Sequence, residues 1–330
     1  MQNAQAEMLP DGRRLHLHHG PIDLIIEAYG EASEVKCAYS QAEARFASIL
    51  AELVEELPLL RRPLGATLPT FRGKVARAMC KASAPHRSGF VTPMIAVAGA
   101  VADEILAALV ADRQLERAYV NNGGDVALHL PPGSQFTTAI FGTDAQVTLR
   151  AEAAPRGLAT SGWRGRSWSM GIADSVTVLA ANAAIADAAA TLIANAVDLP
   201  GHDAIARAPA IALDPDCDLG ERLVTVGVEP LTRGEARAAL YGGRVAAEAL
   251  LQRNVICGAA LFLQGEAAFC PAGLFEPALG FARAGKRKQG NSGDAQQRYG
   301  AGGWYHQIIA ADFPQQRADE GRDGIAGKVG

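Results

Sequence analysis

Three short stretches of the chain bring together residue types that do chemistry. The first, Asn121-Asn122-Gly123-Gly124-Asp125, sets two amides and a carboxylate around adjacent glycines. Glycine accepts φ > 0 and lets a ligand approach the backbone closely, so the stretch reads as strand, tight turn, strand. Asn122, Gly123, Gly124 and Asp125 are therefore candidate cofactor-binding residues, although a hairpin whose polar tip only solves turn geometry accounts for the same residues. The second stretch, Gly157 to Arg166, holds Thr160, Ser161 and Gly162 and then Arg164 and Arg166. Hydroxyls beside glycine with arginine close by suit a phosphate or carboxylate group, and a flexible loop has the same composition. The third is a helix expected from Asn182 to about Val197, in which Asp187 and Thr191 are the polar exceptions among alanines. Four residues apart, they share a helical face and form part of an oxygen site for a hard cation such as Mg²⁺, with phosphate, carbonyl and water completing it. The competing reading has Thr191 bonding back within its own helix and Asp187 paired with an arginine.

The elements that must position these residues alternate irregularly. Leu15 to His19 and Ile22 to Glu27 read as strands, and the histidines of the first suit a surface strand better than a metal site. Phe46, Ile49, Leu50, Leu53 and Leu57 recur at three- and four-residue intervals and predict a helix over Gln41 to Leu57 with one buried stripe. A short helix is expected over Lys74 to Ala84. A long apolar helix, Thr92 to Leu109, then leads into the first turn, and its internal Gly99 marks a close approach by another backbone or a ligand. Strands are expected over Ser134 to Phe141, Gln146 to Ala151, Ser175 to Ala180, Arg222 to Val228 and Val255 to Leu263, with a helix from Arg233 to Leu251. Without regular βαβ units, the pattern predicts an α+β layered fold of mixed or antiparallel sheets covered by helices. The expected organisation is an extension at 1–21, a domain at 22–269 and a C-terminal extension at 270–330, mobile around 284–303.

Composition narrows the function. The chain has 330 residues, 49% of them hydrophobic, and a formal charge of −4, so it can bury a large core and carries no general basic field for nucleic acid. The basic run at 286–288 lacks interleaved aromatics. Five cysteines without CxxC spacing support neither a disulfide framework nor a zinc site. The N-terminus has no apolar segment behind Arg13 and Arg14, and no window of about 18 uninterrupted apolar residues occurs, so a cytoplasmic chain with no membrane span is expected. The expected partner is a small-molecule ligand, and a homo-oligomer is compatible with these features.

The motifs Asn122-Gly123-Gly124-Asp125, Thr160-Ser161-Gly162, Ser175-Val176-Thr177-Val178 and Ala186-Asp187-Ala188-Ala189-Ala190-Thr191 occur in the order found in the ApbE-like superfamily, which includes Mg²⁺-dependent FAD:protein FMN transferases. Thr92-Pro93-Met94-Ile95-Ala96-Val97-Ala98-Gly99-Ala100 resembles the motif of its small uncharacterised cytoplasmic UPF branch, and the resemblance runs from about Ile22 to Phe269. It implies a pocket for flavin, FAD or FMN, with Asp187, Thr191 and a backbone carbonyl near Ala98 as ligands of Mg²⁺. Two departures stand beside it. The transferases carry a lysine where this chain has Ala98, and a His-Ile-Ile-Asp-Pro-like segment where it has Met170 to Asp174, which weakens the inference to FMN transfer. No catalytic residue is assigned. The classes left in competition are an enzyme on a small anionic or heteroaromatic molecule, such as a reductase or ring-modifying enzyme, a flavin- or nucleotide-binding module without catalysis, and an FMN transferase with altered catalytic residues.

Overall fold

The computed structural model describes residues 3–140 and 145–277. In chain order the strands are β1 (Gln5–Met8), β2 (Leu15–His19), β3 (Ile22–Gly30), β4 (Leu115–Asn122), β5 (Asp125–His129), β6 (Gln135–Ala139), β7 (Ala145–Arg150), β8 (Gly157–Ser161), β9 (Ser175–Ala180), β10 (Ile205–Pro209), β11 (Leu223–Val228), β12 (Gly258–Leu263), β13 (Glu266–Cys270) and β14 (Glu276–Pro277). The helices are α1 (Ala32–Leu60), α2 (Lys74–Ser83), α3 (Val97–Val110), α4 (Ala183–Ala196), the single turn α5 (Ala210–Leu213) and α6 (Arg233–Gln252). Nine strands form one sheet in the order β1-β2-β3-β4-β5-β8-β9-β12-β13, and every pairing in it is antiparallel. The fold is α+β, as its irregular alternation of elements predicts.

Side chains alternate across a strand, so neighbouring residues of this sheet belong to different cores. Val120 and Ala127 pack with α1, α2 and α3. Val176, Val178 and Ala159 pack with α4 and α6. On the opposite face Tyr119, Val126, Leu128, Leu158 and Leu179 meet Phe136, Val147 and Leu149 of the small sheet β14-β7-β6. Helices therefore cover one face and a second sheet covers part of the other.

Several elements differ from their expected extents for identifiable reasons. Residues 5–19 are not an appendage: β1 and β2 form the sheet's first edge, so the boundary expected at residue 22 falls inside the sheet. The helix expected from Gln41 begins at Ala32, where Glu31 accepts a hydrogen bond from the Ser33 amide at 2.7 Å, and continues through Pro58 to Leu60. A proline one turn from the C-terminus removes a single backbone bond there. The cluster that opens at Gly157, for which a flexible loop is the competing reading, runs as strand β8 as far as Ser161, and Gly157 lets it lie against the start of α4: a Cβ there would lie 2.0 Å from the Asn182 carbonyl carbon. The expected helix from Thr92 is broken. Pro93–Ala96 forms a tight 3₁₀ turn, Ala96 leaves helical geometry at φ −119° and ψ 15°, and α3 starts afresh at Val97. The expected mobile segment at 284–303 and the basic run at 286–288 lie outside the described residues.

The helical segment Pro93–Val110 has the length and a mean hydropathy, 1.8, that would let it cross a membrane. In this fold it packs against α1, α2, α4, β4 and β5. Its close neighbour is α4: a Cβ on Gly99 would sit 2.3 Å from the Ala183 carbonyl oxygen, so glycine is what lets the two helices meet.

Candidate functional site

The break at Ala96 shapes the site. It leaves the first N–H groups of α3 without partners inside their own helix, and the carboxylate of Asp187 on α4 accepts the one from Gly99 at 3.0 Å, with the Ala98 amide also bonding to it. The favour is returned one turn along. Asp103 of α3 accepts hydrogen bonds from the Ala183 and Ala184 amides at the start of α4, both at 2.9 Å. Each helix thus caps the other, and the described residues bear out neither a back-bonded Thr191 nor an arginine partner for Asp187. Asp187 takes backbone amides instead, and the Thr191 hydroxyl points to the Ser161 Oγ at 3.4 Å rather than back along its helix.

Asp125 reaches the same place from the sheet. Asn122 and Asp125 pair across the two-residue turn at Gly123 and Gly124, whose φ values of +66° and +113° demand glycine. The Asn121 side-chain oxygen closes the turn on the Gly124 amide at 2.9 Å. Strand alternation aims Asn122 and Asp125 at the helices, where the Asn122 amide donates to the Ala98 carbonyl at 3.0 Å. Burial, and next the charge of Asp187, hold the Asp125 carboxyl well above the usual carboxylate range, against the pull of Arg166 and of the Thr160 amide. Burial likewise raises Asp187 to about 7, opposed by the two amides of α3. Asp187 still keeps some accessible surface, which a ligand site requires.

The structure therefore gathers Ala98, Asn122, Gly123, Gly124, Asp125, Ser161, Asp187 and Thr191 at one end of the α3–α4 pair. Thr160 and Arg164 stand apart. The Thr160 side chain lies on the opposite face of the sheet, bonded to Thr177 Oγ1 at 2.8 Å, and contributes only its backbone amide to Asp125. Arg164 stacks on Trp163 at 4.5 Å and pairs with Asp174 at 3.4 Å. Arg166 takes the position by the turn, its guanidinium so close to Gly123 that a Cβ there would lie 2.2 Å from Nη2. Gly162 serves packing, for a Cβ there would meet the Asp174 carbonyl oxygen at 2.4 Å. The histidines of β2 divide as well: His16 bonds Asp23 at 2.8 Å, whereas His19 turns inward against Phe46.

Residues 6–269 match the family model described as AbpE bacteria, from within β1 to within β13. The chain belongs to this family. Its similar proteins include UPF0280 proteins of three archaea. That of Methanobrevibacter smithii is 38% identical over 110 residues, covering 32% of this chain and 46% of that protein. That of Methanothermobacter thermautotrophicus is 36% identical over 132 residues, 38% and 49% of the two chains. That of Methanopyrus kandleri is 35% identical over 161 residues, 46% and 62%. The chain thus spans about half the length of the curated relatives it matches. The family match and the sheet coincide in extent, so the AbpE bacterial unit is the nine-stranded sheet with its helices.

The donors at the α3–α4 end are all oxygens: two carboxylates, the Ala98 carbonyl and two hydroxyls. That set fits a hard divalent cation. Among the described residues no group of three His, Cys, Asp or Glu side chains could hold a metal, so a cation here would share its coordination with ligand oxygens or water.

Proposed function

We propose that this chain is a cytoplasmic enzyme acting on a small anionic or heteroaromatic molecule, bound at the α3–α4 end in a pocket of flavin or nucleotide type. The observation that carries the reading is the convergence of Asp125 and Asp187, close enough that the charge of Asp187 adds to burial in raising the Asp125 carboxyl, with Arg166 pulling the other way. A buried pair of carboxylates is costly unless a proton or a cation lies between them. Asp125, Asp187, Thr191 and the Ala98 carbonyl would hold Mg²⁺, which supplies the positive charge that binds a phosphate or carboxylate. Arg166 and the Gly123-Gly124 turn stand beside that position and suit the rest of an anion. Ala98 and Met170 stand where the resembled transferases carry lysine and histidine, so FMN transfer is not the reading proposed.

The test is calorimetric titration of FMN, FAD and ADP with and without Mg²⁺, on wild type and Asp187→Asn. Asparagine keeps an oxygen for the Gly99 amide, so the fold should survive while Mg²⁺-dependent affinity falls at least tenfold. Equal affinity of the two proteins across a Mg²⁺ titration would remove the cation from the reading. Absence of binding by wild type under every condition would remove the nucleotide pocket.

A further inference from the structure

Away from the α3–α4 end, the 3₁₀ turn Ala84–His86 that follows α2 comes up against the C-terminus of α6. Between them lies an open depression of about 600 Å³ lined by Gly65, Ala66, Pro85, Arg87, Ser88 and Arg253. Both arginines are tied to the same turn: Arg87 Nη1 donates to the Ala84 carbonyl at 3.0 Å, and Arg253 Nη2 to the Pro85 carbonyl at 2.8 Å. Neither is in an ion pair with any described residue. A guanidinium has five N–H groups, so anchoring one of them to a carbonyl fixes its position and leaves others to donate.

His86 sits between two of these lining residues. It is buried, 9% exposed, and its Nε2 is buried with no hydrogen-bond partner among the described residues. Burial, with the nearby charge of Arg253, holds its pKa down to about 4, so at neutral pH the imidazole is uncharged and adds nothing to the two guanidiniums. What faces the depression is two held cations and a serine hydroxyl, with glycine and alanine leaving space.

We propose that this depression is a second binding site, which takes the phosphate or carboxylate group of a small organic molecule between Arg87 and Arg253, with the Ser88 hydroxyl as a further donor. Paired arginines match the geometry of such oxyanions, and the volume exceeds what a bare phosphate fills. It shares no residue with the Asp125–Asp187 cleft, so it stands or falls independently of the function proposed there.

The experiment is an NMR titration of the His86 Cε1–H resonance with inorganic phosphate, glycerol phosphate and citrate, at constant ionic strength in EDTA. The expected result is a saturable shift in wild type, unchanged in Asp187→Asn, with affinity at least tenfold weaker in the double variant Arg87→Ala/Arg253→Ala. Tighter binding of glycerol phosphate than citrate marks the site as one for phosphate, and the reverse order as one for carboxylate. Should the alanine double variant fail to fold, Arg87→Lys/Arg253→Lys keeps the charge and loses the forked donors, and a clear weakening is expected there too. A linear, non-saturating response, equal affinity in the arginine variants, or loss of the response in Asp187→Asn would overturn the proposal.

Discussion

Glu27 and Asp103 differ from Asp125 and Asp187 in how their charge is met, and the contrast separates carboxylates that build the fold from carboxylates that have work left to do. Glu27, 4% exposed on the small-sheet side, takes the Tyr119 hydroxyl at 3.0 Å and has the Arg13 Nε 3.7 Å away. Asp103 takes two amides at the start of α4, where the helix dipole favours negative charge. Burial raises Asp103 against its two amides, with no carboxylate adding to it, whereas Asp125 is raised by burial and next by Asp187, and Asp187 by burial and in smaller part by Asp103. Donors alone do not make a buried acid structural. What matters is whether a second acid has been placed opposite it.

The largest effect that sharpens this contrast is the pH dependence of stability at Asp187. Its folded pKa of about 7 lies above the unfolded value near 3.8, so the proton stabilises the folded state. Below pH 4 both states hold that proton and the contribution is fully present. As pH rises from 4 to 7 the unfolded chain releases it first, and the contribution is lost, up to about 4 kcal/mol once the folded group has also ionised. Urea unfolding of wild type and Asp187→Asn in EDTA should therefore diverge, the variant gaining on wild type between pH 4.5 and 8. Parallel stability curves would place Asp187 with Asp103 as a plain cap. In contrast, Asp103→Ala should cost about 2 kcal/mol at pH 7, since it strands two helix amides, with the same loss in millimolar Mg²⁺ as in EDTA. A loss that Mg²⁺ reverses would break the distinction from the other side.

Much of this arrangement was legible in the residues and some was not. The turn at Gly123 and Gly124 was, because two adjacent glycines between apolar runs supply the pair of φ > 0 positions that a two-residue hairpin turn needs. Asp187 and Thr191 were, because four-residue spacing puts them on one face of α4. Gly99 announced a close neighbour but not which one, since helix contact is set by tertiary packing. The reciprocal caps were not legible: Asp103 reads as the wet side of an apolar helix until α4 is seen beginning beneath it. Nor was the break at Ala96, where Pro93 starts a helical pattern that remains apolar throughout. Arg164 and Arg166 are equivalent in composition, and tertiary contacts decide between them: the first is held by Trp163 and Asp174, and the second stands against Gly123.

The smallest expected effect tests strand alternation at adjacent residues. Thr160 and Ser161 read alike in the sequence, but β8 sends the first to the small-sheet face, against Thr177, and the second to the helix face, against Thr191. Thr160→Val keeps shape and removes a neutral hydrogen bond, so it should lower stability by about 1 kcal/mol and leave ligand affinity untouched, because its amide still serves Asp125. Ser161→Ala loses only a long contact to Thr191, so stability should change by about 0.5 kcal/mol or less, while Mg²⁺-dependent affinity should fall. Paired measurements of melting temperature and nucleotide affinity on the two variants read both quantities. If Thr160→Val is the one that weakens binding, the ligand lies on the small-sheet face and the Asp125–Asp187 cleft is not its site.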